Sequence, residues 1–262
     1  MKTLVVIPAR YASTRFPGKP LALLGGESII GRVWRTAASM EEVDKVVVAT
    51  DDERIQDHIN RLASREAAMM TSAGHRSGTD RCGEVLRRLQ SLGEHYDIVV
   101  NIQGDEPFIE PSQIATLIGC FEAGGTDIAT LCTPVRTVEE LLSPNNVKVV
   151  CNHAGQALYF SRQAIPYRRG IDPTQWLNGM DYLKHVGIYA FRSEVLEAVC
   201  RLPQAPLEEC EKLEQLRWLY EGYSIVVRPT SHANIGIDTP ADLAEAERQL
   251  ATQRQKNNST DK

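Results

Sequence analysis

Three short runs, Thr3–Ala9 (TLVVIPA), Lys45–Thr50 (KVVVAT) and Asp97–Ile102 (DIVVNI), are apolar through their middles, and amphipathic stretches lie between them. A strand that is apolar on both faces must be covered on both, which an exposed antiparallel sheet does not do. The intervening segments supply that cover. Ser28–Met40 puts Ile29, Ile30, Val33, Trp34, Ala37 and Ala38 on one helical stripe. Asp52–Ala67 reads as a second helix with Asp51 or Asp52 at its N-cap, and Thr79–Leu92 as a third. A short strand at Ala67–Met70, a helix from Pro111 to Phe121 and a strand at Asp127–Cys132 continue the alternation. The rhythm predicts an α/β fold, a mostly parallel sheet flanked by helices.

After about residue 145 the pattern changes. Residues 147–151, 157–161 and 185–191 read as strands with little helix between them, and Asn152–Gly155 is a turn signal that predicts a hairpin. Arg168–Tyr182 reads as a long loop. Helices are expected at Ser193–Arg201 and Leu207–Gly222, a strand at Ser224–Pro229, and a last helix with Thr239 as N-cap and Pro240 at its first position. No repeat or low-complexity linker interrupts the chain. The expectation is one domain over 1–252 with a β-rich insertion at about 145–192, and a polar, disordered tail at 253–262.

Composition removes several classes of function. The 262 residues carry 29 Lys+Arg against 34 Asp+Glu, a net charge of −5, which disfavours nucleic acid or an anionic membrane as a partner. No apolar run approaches the roughly 18 residues of a membrane helix, and the N-terminus reads as a first strand and not as a signal peptide, so a cytoplasmic enzyme is expected. The six cysteines form no CxxC pair and the six histidines no close pair, so buried free thiols are expected and a zinc enzyme is not.

The strongest chemical signal is the loop after the first strand, Pro8-Ala9-Arg10-Tyr11-Ala12-Ser13-Thr14-Arg15-Phe16-Pro17-Gly18-Lys19-Pro20-Leu21. Arg10, Arg15 and Lys19 lie within ten residues at the carboxyl end of a strand, where open α/β sheets bind ligands. Three cations closing on one point repel unless an anion joins them, so the loop predicts a phosphate site. It is neither a Walker A loop nor a dinucleotide fingerprint. Asn101-Ile102-Gln103-Gly104-Asp105-Glu106-Pro107, at the end of another strand, offers a carboxylate for a divalent cation or simply a turn. In Gly236-Ile237-Asp238-Thr239-Pro240, Asp238 by itself reads best as a helix cap. His75-Arg76-Ser77-Gly78-Thr79-Asp80-Arg81 reads equally as a helix cap and as a ligand-reading helix N-terminus. Asp51-Asp52-Glu53 looks like a DxD metal motif, but an acid-rich helix start explains it better.

Together with PNNVKVV, ALYFSR, IPY, KHVGIYAF, LEQLRWLYEG and GIDTP, these motifs resemble the 3-deoxy-manno-octulosonate cytidylyltransferase (CMP-Kdo synthetase) family in order and spacing, from Thr3 to about Leu250. The resemblance implies a Rossmann-like nucleotidyltransferase core with a dimerising β insertion. It implies a homodimer that makes CMP-Kdo and pyrophosphate from CTP and Kdo with Mg²⁺, for lipopolysaccharide synthesis in the bacterial cytoplasm. It further implies that Arg10, Arg15 and Lys19 hold the triphosphate, and that Ala9, Arg10, Ser77 and Gln103 recognise cytosine. Asp105 and Asp238 would hold the metal. Arg162, His185, Tyr189, Glu214 and Gln215 would line the sugar pocket, Arg162 gripping the sugar carboxylate and His185 serving as hydrogen-bond donor or as cation. Arg168 and Arg169 stay unassigned. The alternatives are a related acid sugar, 8-amino-Kdo or sialic acid, and, ranked lower, a non-catalytic nucleotide-binding module.

Overall fold

The computed structural model describes residues 1–12, 15–63, 66–232 and 236–260, the stretch 253–260 by backbone only. The chain divides into two compact units, 1–111 with 234–262, and 112–233. The division is wider than the β-rich stretch expected at about 145–192.

The first unit contains strands β1 (Thr3–Ala9), β2 (Leu23–Leu24), β3 (Glu27–Ser28), β4 (Lys45–Thr50), β5 (Ala68–Met70) and β6 (Ile98–Asn101). Its first helices are α1 (Ile29–Ala38), α2 (Glu53–Leu62) and α3 (Gly78–Ser91). Strands β6, β1, β4 and β5 lie side by side in that order, and every pair is parallel. The run β1, β4, β5 steps one way across the sheet, and β6 then returns to the other side of β1. Right-handed crossovers place α1 and α2 on one face and α3 on the other. The reversal makes the carboxyl ends of β1 and β6 the switch point, where a crevice opens. Leu4, Val5, Val6 and Ile7 have no exposed surface, as strands covered on both faces require.

Side chains cap these helices as their sequences suggest. Ser28 accepts from Gly31 N, Asp52 from Arg54 N and Ser77 from Asp80 N. Asp52 is thus a cap, and Asp51 pairs with Arg81, which disposes of the DxD resemblance. The second helix ends at Leu62, shorter than the expected stretch to Ala67; residues 64–65 of that stretch, and Ser13 and Thr14 of the cationic loop, lie outside the described residues.

The second unit holds α4 (Pro111–Gly119), which starts at the boundary, then β7 (Ile128–Pro134), α5 (Val138–Leu142), β8 (Lys148–Cys151), β9 (Ala157–Ser161) and β10 (Leu183–Arg192). It continues with α6 (Ser193–Val199), α7 (Pro206–Glu211), α8 (Gln215–Tyr220) and β11 (Ile225–Pro229). Strands β8 and β9 form the expected antiparallel hairpin. Strand β10 runs antiparallel to β7, with an irregularity in register between Val186 and Tyr189. The single helix expected over 207–222 is two helices. Lys212 breaks it with φ 54, a left-handed conformation costly for a residue with a Cβ. In the loop after β9, Arg168 donates to the carbonyls of Gln175, Trp176 and Asn178 at 3.2, 2.8 and 2.6 Å and so organises the turn.

The chain returns to the first unit as α9 (Pro240–Thr260), whose backbone continues over part of the segment expected to be a tail; 261–262 lie outside the described residues. Ala246 and Leu250 of this helix pack with Leu24, Ile29 and Ile237. All six cysteines are free thiols, but only Cys82 and Cys132 are buried and Cys210 is exposed, so the expectation of burial holds for two. Among the described residues no helix is long and apolar enough to cross a membrane.

Candidate active site

A cavity of about 400 Å³ opens at the carboxyl ends of β1 and β6 in the first unit. Its walls include Ala9, Arg10, Arg15 and Lys19 from the loop after β1, Gln103, Gly104 and Asp105 from the loop after β6, and Ser77 at the start of α3. The two loops approach closely because Gly104 lacks a side chain. A Cβ there would lie 2.8 Å from the Pro8 carbonyl oxygen, and Gly104 N donates to that same oxygen at 3.2 Å.

Lys19 is the centre of the charge arrangement. Its Nζ donates to Asp105 Oδ2 at 2.6 Å and to Asp238 Oδ1 at 3.1 Å, and Arg15 reaches Asp238 Oδ2 at 3.0 Å. Burial works against the Lys19 charge. The Asp105 carboxylate, with Asp238 behind it, more than offsets this and holds the ammonium above its ordinary pKa. Asp238 is not the helix cap that its position suggests. Thr239 Oγ1 accepts from Asp242 N, and Asp242 accepts from the N–H groups of Asp238 and Thr239. That reciprocal cap frees the Asp238 carboxylate, and the bond from Ile237 N to the Asp105 carbonyl keeps the two aspartates together.

No group of three or more His, Cys, Asp and Glu poised for a metal occurs among the described residues. Two carboxylates that converge on one ammonium nevertheless suit a small hard cation. Mg²⁺ characteristically takes one or two protein carboxylates and completes its shell with phosphate oxygens and water. Asp105 and Asp238 therefore fit the expected ion.

Ser77 Oγ accepts from Asp80 N, so the serine is a helix cap that also lines the cavity. Arg10 donates to the His75 carbonyl at 2.5 Å. The His75 ring bonds Glu84, which also accepts from Ser72 N and pairs with Arg88. Two cavity arginines went unassigned in the sequence reading, although both lie in the HRSGTDR motif. Arg76 is an exposed cation at the wall. Arg81 is fully buried, held by Thr71 Oγ1 and, at 2.9 Å, by Asp51.

The five residues expected at the sugar pocket all lie in the second unit. Arg162 follows β9, and its guanidinium donates to the carbonyls of Glu211, Pro144 and Lys212 at 2.7, 3.0 and 3.4 Å. The Glu211 carboxylate accepts from Ser161 Oγ and Arg162 N, which fixes the hairpin end to α7. His185 packs against the Phe160 and Tyr189 rings, at 5.0 and 5.3 Å between centroids. Burial pushes its pKa down to about 3, so it is neutral near pH 7 and not the cation considered from sequence. Thr130 Oγ1 lies 2.8 Å from the Ile188 carbonyl and 3.0 Å from His185 Nε2. With the hydroxyl proton on that carbonyl, Nε2 carries the imidazole proton and Nδ1 remains an acceptor.

Tyr189 is 7% exposed, and its hydroxyl has no hydrogen-bond partner among the described residues. A buried polar group without a partner costs free energy and marks a place where a ligand or water belongs. Burial raises the Tyr189 pKa well above its ordinary value, with Glu214 adding to the effect. Glu214 accepts from Arg217 Nη2 at 2.9 Å, and Gln215, the first residue of α8, is buried.

The Cytidylyltransferase family pattern matches residues 4–225. The chain is 50% identical to the 3-deoxy-manno-octulosonate cytidylyltransferase of Parabacteroides distasonis over 250 residues, 94% of this chain and 97% of that protein. It is 43% identical to the protein of the same name from Geobacter metallireducens over 257 residues, 96% of this chain and 98% of that one. Among solved structures, CMP:2-keto-3-deoxy-manno-octonic acid synthetase complexed with CTP is similar with a TM-score of 0.87 at 40% identity, covering 97% of this chain and 100% of that one.

Proposed function

The chain belongs to the 3-deoxy-manno-octulosonate cytidylyltransferase family, a nucleotidyltransferase that moves CMP from CTP to Kdo, and we propose that the cavity between the β1 and β6 loops is where it takes the nucleotide. One observation carries the assignment: Lys19 lies between Asp105 and Asp238 at the switch point of the sheet. An ammonium shared by two carboxylates, in a site whose walls also carry four arginine side chains, Arg10, Arg15, Arg76 and Arg81, is arranged for a polyanion with a divalent cation.

Arg10, Arg15 and Lys19 take the triphosphate. Ala9 backbone groups, Ser77 and Gln103 read the cytosine. Asp105 and Asp238 hold Mg²⁺, which when bound neutralises phosphate charge and helps to orient the triphosphate. The reaction is an in-line displacement. The anomeric oxygen of Kdo forms a bond to the α-phosphorus as its hydroxyl proton is given up to water, the bond from that phosphorus to the bridging oxygen breaks, and pyrophosphate leaves with the bonding electron pair. Lys19 and the arginines stabilise that charge, and alignment supplies much of the remaining rate.

The second unit reads the sugar acid in this proposal. Tyr189 offers an unpartnered buried hydroxyl, neutral His185 offers Nδ1 as acceptor, and Glu214, Gln215 and Arg162 complete the set. Two of the five Arg162 N–H donors are enough for a forked grip on a carboxylate, and three are already engaged by main-chain carbonyls. The proposal extends to a cytoplasmic homodimer serving lipopolysaccharide synthesis. Leu158 on β9 and Tyr167 after it are 61% and 74% exposed, which supports a covering partner copy. Sedimentation at micromolar concentration should give a dimer, and a monomer would remove that part.

The test of the site is Asp105→Asn with CTP, Kdo and Mg²⁺. The variant should lose at least about a hundredfold in kcat/KM, the scale of one lost charge interaction with the transition state. Wild-type turnover that persists in excess EDTA would overturn the metal assignment.

A further inference from the structure

We infer that Tyr11 and Arg54 form a clasp that pre-sets the nucleotide loop, making both positioning residues for the transfer. The inference rests on the reading that the loop carrying Lys19 binds CTP.

The contacts run in a chain from a helix end to the reacting group. Gly18 N donates to the Tyr11 carbonyl at 2.9 Å, which ties these two loop positions together. Gly18 has φ 73, and a Cβ there would lie 3.0 Å from Tyr11 Cζ and Oη, so the tyrosine ring rests against the bare Cα. The Arg54 guanidinium lies over the same ring, with Cζ 3.3 Å from its centroid. Arg54 is itself fixed by a fork to Asp52, Nε to Oδ1 at 2.9 Å and Nη2 to Oδ2 at 2.7 Å. Asp52 Oδ1 also caps α2 by accepting Arg54 N at 3.0 Å.

The residue after Gly18 is Lys19, whose ammonium must meet Asp105, Asp238 and the triphosphate together. A loop holding three cations gains conformational freedom whenever its ends separate, and binding CTP would then have to remove that freedom. The clasp removes it in advance. Neither Tyr11 nor Arg54 lines the cavity. Any effect of their substitution on CTP therefore passes through the loop. Arg54 is exposed, so removing it should spare the fold.

The test compares the wild type with Arg54→Ala, Tyr11→Ala and Tyr11→Phe in steady-state assays with CTP and Kdo, alongside thermal melting. Arg54→Ala should raise the KM for CTP about two- to fivefold, the factor for one exposed cation–π contact. Tyr11→Ala, which releases both contacts, should raise it by more, while the KM for Kdo and the melting temperature hold. Tyr11→Phe keeps the ring and should stay within about twofold of the wild type. An unchanged KM for CTP in both alanine variants, equal rises in both KM values, or a Tyr11→Phe variant as poor as Tyr11→Ala would overturn the clasp. Wild-type enzyme that CTP fails to saturate would instead overturn the reading of the loop.

Discussion

His185 offers a test worked from its surroundings. An ordinary histidine has a pKa near 6.5, which is the unfolded-state value, while in the fold burial pushes it down to about 3. The folded state therefore resists a proton that the unfolded state accepts. For such a depressed base, stability falls as pH drops below about 6.5 and levels off below the folded value. The slope is about 1.4 kcal/mol per pH unit between those limits. Between pH 7 and pH 5 the loss attributable to this one group is about 2 kcal/mol. His185→Gln keeps a polar side chain and does not titrate. Urea unfolding of both proteins at pH 7, 6 and 5 isolates the term, since other titrations cancel in the difference. The stability advantage of the wild type over His185→Gln should shrink by about 2 kcal/mol from pH 7 to pH 5. Parallel curves for the two proteins would refute the argument that His185 is held neutral.

Gly104→Ala places a Cβ 2.8 Å from a backbone oxygen of β1, so the strand ends must part. The expected cost is about 1–3 kcal/mol in stability with a raised KM for CTP, read by melting and steady-state kinetics. Arg162→Ala removes three bonds to main-chain carbonyls, so it should destabilise by about 1–3 kcal/mol and also raise the KM for Kdo more than that for CTP. A stability loss with both KM values unchanged would make Arg162 purely structural.

The parts of the fold that repeat were legible in the sequence. The apolar runs at Thr3–Ala9 and Lys45–Thr50 are β1 and β4 without adjustment, because burial on both faces leaves an unbroken apolar signature. Ser77 and Thr239 are caps as their side chains suggest. The break between α7 and α8 was not legible, because neither glycine nor proline marks it and Lys212 takes the left-handed conformation. The cationic loop could be placed at the end of a strand, but sequence could not pair it with Asp238, 219 residues from Lys19. A cap was the better local explanation for that aspartate, but Thr239 and Asp242 share the capping role. The charge state of His185 was equally hidden, since it depends on rings and a hydroxyl contributed by β7, β9 and β10.

Pyrophosphate release measured with CTP and Mg²⁺ tests the central claim most directly, with Kdo, 8-amino-Kdo and sialic acid as parallel acceptors and UTP replacing CTP in a control. Release should depend on Kdo and on CTP, with UTP far poorer because a mismatched ring leaves buried polar groups of the base site unpaired. Release that ignores Kdo, or that proceeds equally with UTP, would contradict it.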